Sequence, residues 1–205
     1  VDPRSDEQLL ADHLSGVSGA FECLVARYGS ELYAFLCRFV ADSTAAEDLV
    51  QETFVQVHLA AASFDPERRF RPWLYTIAAN KARDYLRTRG RRQQYSLDAT
   101  GIDDDSRAPS QNVPAVDASL ADQVDAEEQK AVVRELISRM PEHLRLILTL
   151  GYYQQLPYAE IAEVLGIPVG TVKSRLHAAV HHFAKLWRSR AKAGSTTEPE
   201  RKTQG

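Results

Sequence analysis

Between Tyr158 and His182 the residue types fall in a pattern that could read the edges of base pairs. Ile161, Ala162 and Leu165 give one short apolar helix, Gly166 allows a tight turn, and Ile167 and Val172 take the inner positions of a second helix. A small residue at Ala162 lets the two helices approach, and Gly166 can enter a left-handed conformation at little steric cost. This spacing predicts a helix-turn-helix. Its second helix presents Thr171, Lys173, Ser174 and Arg175 near its N-terminal end, the end that enters a major groove. A plain helical hairpin with a solvated charged face is the blander alternative, and the whole spacing favours the helix-turn-helix.

A second stretch runs from Arg68, Arg69 and Arg71 through Lys81, Arg83, Arg87, Arg89, Arg91 and Arg92. Interleaved with it are Phe64, Phe70, Trp73, Tyr75 and Tyr85. Cations attract the phosphate backbone, and stacking on an aromatic ring is worth about 1–3 kcal/mol per base, enough to offset local unpairing. The stretch therefore points to DNA whose strands are separating. Trp73 shares an apolar face with Ile77 and is read as core.

Neither stretch contains a catalytic constellation. His177 and His181 have the one-turn spacing of metal ligands on a helix, but no third ligand with a polarising carboxylate accompanies them. No metal, cofactor or enzymatic reaction is expected. Cys23 and Cys37, the only cysteines, lie in an apolar helical pattern and are expected to be buried core thiols. The 25 Lys and Arg are outnumbered by 28 Asp and Glu, so affinity for phosphate must come from uneven placement of the cations. No run of about eighteen apolar residues exists, and the N-terminus lacks the basic-then-apolar order of a signal peptide. A cytoplasmic protein without membrane insertion is expected.

The elements that must carry these side chains are all helical. Ser5 and Gln8 form a capping box, and Gly16 to Gly19 ends that short helix. Phe21, Leu24, Val25, Tyr28, Leu32, Leu36 and Phe39 then recur at helical spacing. Thr44 with Glu47 reads as another capping box, ahead of Leu49, Val50, Phe54 and Val57. Asp65 and Pro66 break that helix, and Pro72 suits the first turn of the next. From Ser96 the periodicity disappears into Gly, Pro, Ser and Asp, with Asp103, Asp104 and Asp105 in a row. It resumes near Leu120 with Val132, Val133, Leu136, Ile137 and Met140, and Pro141 opens the helix of Leu144, Ile147 and Leu148. The expected fold is all-α: helical domains at 1–95 and 120–190, a flexible acidic linker at 96–119, and a polar tail at 191–205.

Three segments in this order, AEDLVQETF (Ala46 to Phe54), FRPWLYTIAANKARDYLR (Phe70 to Arg87) and LPYAEIAEVLGIPVGTVKSRL (Leu156 to Leu176), resemble sigma-70 family factors of the extracytoplasmic-function group. The resemblance spans nearly the whole chain except the linker and tail. It implies a region 2-like bundle followed by a region 4-like helix-turn-helix, and core RNA polymerase and promoter DNA as partners. By resemblance, the first segment docks on polymerase through Asp48, Gln51 and Glu52; from its own residues it reads only as an amphipathic helix. The second resembles the element that binds and opens minus-10 DNA, with Arg71, Tyr75, Asn80, Lys81, Arg83 and Arg87 as contacts. The third resembles the reader of the minus-35 element, with Thr171, Lys173, Ser174, Arg175 and His177 as contacts. The acidic linker is similar to the connector that threads polymerase channels. Members of the group are often held by an anti-sigma factor, which makes one a candidate partner.

The chain departs from the group's pattern in places. Ala178 and Val180 stand where arginines are common, Pro157 and Tyr158 replace a small polar residue and its acidic neighbour, and the helix ending in Val57, His58 and Leu59 lacks a common aromatic residue. A free-standing repressor could use the same helix-turn-helix. It would usually need a dimer interface to pair two half-sites, and no heptad or second sensory domain is visible.

Overall fold

The computed structural model describes residues 2–99 and 120–195, and its described secondary structure is helical throughout. Most of the expected linker, 100–119, and the tail from residue 196 lie outside the described residues. Helix α1 (Asp6–Leu14) opens on the expected capping box: the Gln8 N–H donates to Ser5 Oγ at 3.1 Å and the Ser5 N–H to Gln8 Oε1 at 2.9 Å. Helix α2 (Ala20–Val40) buries Leu24, Tyr28, Leu32, Phe35, Leu36 and Phe39. Val25, expected on that stripe, is exposed at its shoulder, while Phe35 completes it.

Helix α3 (Ser43–Ala60) is capped by Asp42, whose Oδ1 accepts from the Ala45 N–H at 3.1 Å, and not by Thr44. Ala41 ends α2 in the left-handed region at φ 56°, so the chain reverses at once and Asp42 is already extended. A 3-10 turn (Ala61–Ser63) and a short loop lead to α4 (Phe70–Ala99). The first N–H of α4, on Phe70, donates to Glu7 Oε1 of α1 at 2.9 Å. Helix α4 continues past residue 95, where the first domain was expected to end.

The second unit comprises α5 (Leu120–Ser138), α6 (Glu142–Leu148) continued by a π-helical turn (Thr149–Tyr153), α7 (Tyr158–Leu165) and α8 (Val169–Ser195). Helix α8 runs into the expected tail, where Ala191, Lys192 and Ala193 are good helix formers. The two units pack on each other, with α7 against α4 and the π-helical turn against α2. One apolar cluster therefore runs from Leu9 to Ala179. The cysteines are only partly buried, a correction to their expected place in the core: both lie at the edge of the α2 stripe, and Cys23 Sγ sits 3.6 Å from Asp2 Oδ2. Burial still pushes the Cys37 thiol pKa up.

Candidate nucleic-acid interfaces

The helix-turn-helix is built by α7 and the start of α8. Gly166 takes φ 63° and ψ 37°, the left-handed C-cap that the sequence required. The Ile167 N–H donates to the Ala162 carbonyl at 3.1 Å, closing the turn. Helix α8 starts on the Pro168 carbonyl, which accepts from the Thr171 and Val172 N–H groups at 2.9 and 3.1 Å. Val172 and Ile161 are buried between the helices. Gly151 of the π-helical turn lies so close to α8 that a Cβ there would meet Leu176 Cδ1 at 3.2 Å.

This packing leaves Lys173, Ser174, Arg175 and His177 exposed and Thr171 half-buried. Ser174 Oγ donates to the Thr171 carbonyl at 3.0 Å, so its hydroxyl is turned toward its own helix. His177, Ala178, Val180 and His181 are also exposed, so the stretch that follows Arg175 carries histidines and no Lys or Arg before Lys185.

On α4 the expected contacts divide into two groups. Asn80, Arg83 and Arg87 follow one another at helical spacing along an outer face. Arg87 Nη2 pairs with Asp84 Oδ1 at 2.8 Å, and Arg83 Nε lies 3.8 Å from Glu142 Oε1. Lys81 Nζ pairs with Glu52 Oε2 at 3.3 Å, tying α4 to α3. Arg89 Nη1 and the Tyr85 hydroxyl both donate to Asp42 Oδ2, at 3.2 and 3.1 Å.

Arg71 and Tyr75 face the second unit instead. Arg71 Nη2 pairs with Glu31 of α2 and donates to the Gln154 carbonyl at 3.0 Å. The Tyr75 hydroxyl donates to Gln154 Oε1 at 2.9 Å. Tyr75 is 0% exposed, so in this arrangement its ring has no face for a base to stack on, contrary to the expectation for this residue. It shares the inward stripe of α4 with Ala78, Ala79 and Ala82, which alternation with arginine in the sequence concealed. Burial first, and the nearby Glu31 charge second, push its phenol pKa far up. Trp73 packs on Phe64 and Phe70, with ring centroids 4.9 and 5.9 Å away, as the core reading expected.

On α3, Asp48, Gln51 and Glu52 are exposed on the face opposite Leu49, Phe54 and Val57. Val55 and Leu59 continue the Gln51 row at intervals of one turn and are exposed as well. From the sequence Leu59 was noted only as part of a helix end lacking a common aromatic residue and Val55 not at all, although their i, i+4 spacing from Gln51 was the available signal. Among the described residues no group of three or more His, Cys, Asp and Glu could hold a metal ion, and no helix is long and apolar enough to cross a membrane.

Residues 24–92, covering most of α2 through α4, match the sigma-70 region 2 family, and residues 130–182, covering α5 to α8, match sigma-70 region 4. The chain belongs to the sigma-70 family. Its relatives place it in the extracytoplasmic-function (ECF) group. The RNA polymerase sigma-H factor of Pseudomonas aeruginosa is 35% identical over 178 residues, 85% of this chain and 89% of that protein. The ECF RNA polymerase sigma factor SigW of Bacillus subtilis is 33% identical over 162 residues, 79% of this chain and 86% of that one. Among solved structures, CnrH in complex with the cytosolic domain of CnrY superposes with a TM-score of 0.67 at 27% identity, covering 91% of this chain and 99% of that one. The sigma factor RpoE bound to the anti-sigma factor NepR, from Bartonella quintana, gives a TM-score of 0.67 at 25% identity over 83% and 98% of the two chains. In this sigma factor the polymerase and minus-10 candidates all fall inside the region 2 match, and Thr171 to His177 inside the region 4 match.

Proposed function

We propose that this ECF sigma factor divides promoter recognition between the two exposed faces just described. The start of α8 enters the major groove of the minus-35 element, and the outer face of α4 holds the separated minus-10 strands. The observation that carries the reading is the pairing of an exposed Lys173–Arg175 helix start in region 4 with a row of exposed Asn80, half-buried Arg83 and exposed Arg87 in region 2.

The chemistry follows from the side chains. Arg175 can donate twice to one guanine edge, and Lys173 supplies a point charge to phosphate. Asn80 offers an amide that both donates and accepts, suited to a base edge exposed by melting, while Arg83 and Arg87 neutralise the adjacent backbone. Asp48, Gln51 and Glu52 contact core polymerase from α3. Sigma factors initiate transcription without enzymatic chemistry of their own. A protein that acts with polymerase on promoter DNA would work in the cytoplasm, and an anti-sigma factor is a further candidate partner, as in the RpoE–NepR neighbour. The residues at 96–119 serve as the connector between the two regions.

Acidic groups such as Asp42, Glu47 and Asp48 oppose the basic row, so the free chain should bind duplex promoter DNA weakly, and core polymerase should rescue binding. Electrophoretic mobility shifts with and without core polymerase test this. A tight sequence-specific complex of the chain alone would instead favour a repressor.

A further inference from the structure

Two histidines that the promoter reading leaves unused meet across the region 2 bundle, although 45 residues separate them in sequence. His13 stands in the last turn of α1 and His58 in the last turn of α3. His13 is half-buried, His58 is exposed, and His13 Nε2 lies 3.0 Å from His58 Nδ1. Phe21, at the start of α2, supports both rings, its centroid 4.8 Å from that of His13 and 5.7 Å from that of His58. Phe54 of α3 packs edge-on against Phe21 in turn. The imidazoles are thus placed by packing before any ligand arrives, which reduces the ordering cost of binding one.

Two imidazole nitrogens at this distance can share one proton as a hydrogen bond or converge on one cation. At nitrogen–metal distances of about 2.0–2.1 Å, nitrogens 3.0 Å apart subtend an angle of about 91–97° at the ion. That is the angle between neighbouring ligands in square-planar or octahedral coordination, and it is narrower than the tetrahedral angle of zinc. The electrostatic setting suits a cation as well. The last turns of two helices converge on the pair, and the carbonyl end of a helix carries a partial negative charge. Among the described residues no third His, Cys, Asp or Glu joins the pair, so water completes the coordination and the ion stays exchangeable.

We propose that His13 and His58 form a two-imidazole site for a divalent transition-metal ion, nickel(II) or copper(II) in preference to zinc(II), and that the bound ion clamps the end of α1 to the end of α3. Imidazole and the near-right angle select these ions, and magnesium, which takes oxygen ligands, is rejected. Leu59, next to His58, continues the exposed Gln51 and Val55 row of α3, so the clamp steadies one end of that face. The site does not rest on the promoter reading. His177 and His181 have ligand spacing too, but they lie on one helix, and an ion there would join no separate elements.

The test uses the full chain without an affinity tag, cleared of metal by chelation, and follows thermal unfolding against added nickel chloride. An ion that binds the folded chain alone stabilises it in proportion to ln(1 + [L]/Kd), so at a hundredfold excess over Kd the parent should melt about 5–10 °C higher. Excess EDTA should reverse the rise, magnesium chloride should give none, and zinc chloride should give a smaller one at equal concentration. His13→Gln and His58→Gln keep a hydrogen-bonding side chain in place of the ring, and each should abolish the nickel shift. His177→Gln combined with His181→Gln should retain it. Nickel should also slow hydrogen exchange at the amides of Val57 to Ala60 in the parent and in neither single variant. One equivalent of copper(II) bound to the parent should show electron spin resonance couplings to two imidazole rings, a readout that needs no variant to fold. No nickel shift in the parent, a shift that survives loss of His13 or His58, or one that vanishes with His177 and His181 overturns the site. A larger rise with zinc than with nickel overturns the assigned geometry, and coupling to fewer than two rings overturns the pairing.

Discussion

The two DNA faces should fail differently, because one reads intact base pairs and the other holds bases that have left the stack. Arg175 and Lys173 are exposed on α8, so truncating either should change stability little. Arg175→Ala should instead remove a groove contact worth about 1–3 kcal/mol, or about 5- to 150-fold in minus-35 affinity. On α4, Arg87 pairs with Asp84 among the described residues, and both side chains are about two-thirds exposed, at 64% and 66%. Such pairs contribute little to folding, so loss of Arg87 should be felt in DNA opening rather than in the fold. Asn80→Ala, alone or with Arg83→Ala and Arg87→Ala, should leave upstream contacts in place and reduce strand opening. The assay is transcription by each variant holoenzyme on a promoter with a pre-melted bubble over the minus-10 region. The bubble should restore activity to the Asn80 and arginine variants and little to Arg175→Ala, because it supplies unpaired bases but no upstream affinity. Equal rescue of both classes would refute the division of roles, and no rescue of Asn80→Ala would assign that side chain to structure.

Gly166→Ala places a Cβ in open space but at φ 63°, so its cost is backbone strain of about 1–2 kcal/mol, which should lower the melting temperature by about 2–8 °C; an unchanged melt would show that the turn relaxes. Burial alone would raise the Glu7 carboxyl pKa, but hydrogen bonds, chiefly from the Phe70 N–H, outweigh it and lower the value below the ordinary 4.5. A depressed carboxyl contributes stability that is complete above its unfolded pKa and lost as pH falls through its folded one. Glu7→Gln should therefore melt about 1–3 °C below the parent at pH 7, with the gap closing as pH falls below the ordinary carboxyl value of 4.5. A gap that persists at low pH would mean that the carboxylate charge plays no part.

Much of this architecture was legible in the residues because local chemistry and tertiary packing agree. The Ser5–Gln8 capping box, the long apolar stripe of α2, Pro141 ahead of α6 and the Gly166 turn are short-range devices whose partners lie within a few residues. The errors share a different cause. Asp42 rather than Thr44 caps α3 because Ala41 reverses the chain just before it, a left-handed alanine that no propensity would anticipate. Tyr75 looked available because it alternates with cations, whereas its ring packs edge-on against Phe35 of α2 and its hydroxyl reaches Gln154 of the second unit. Gln154 and Glu160 stayed hidden for the same reason: their partners, Tyr75 and Arg69, lie 79 and 91 residues away in sequence. The Lys173–Arg175 face was readable because a solvent-facing helix start needs no distant partner. The acidic stretch around Asp103 falls outside the described residues.

The most direct measurement of the central claim is in vitro transcription from a library of promoter sequences by purified core polymerase, with and without this chain. The account predicts that the chain creates new start sites sharing one upstream and one downstream sequence element, and that Arg175→Ala relaxes selection only at the upstream element while Asn80→Ala does so only at the downstream one. Transcription that is unchanged by the chain, or start sites with no shared elements, would contradict it.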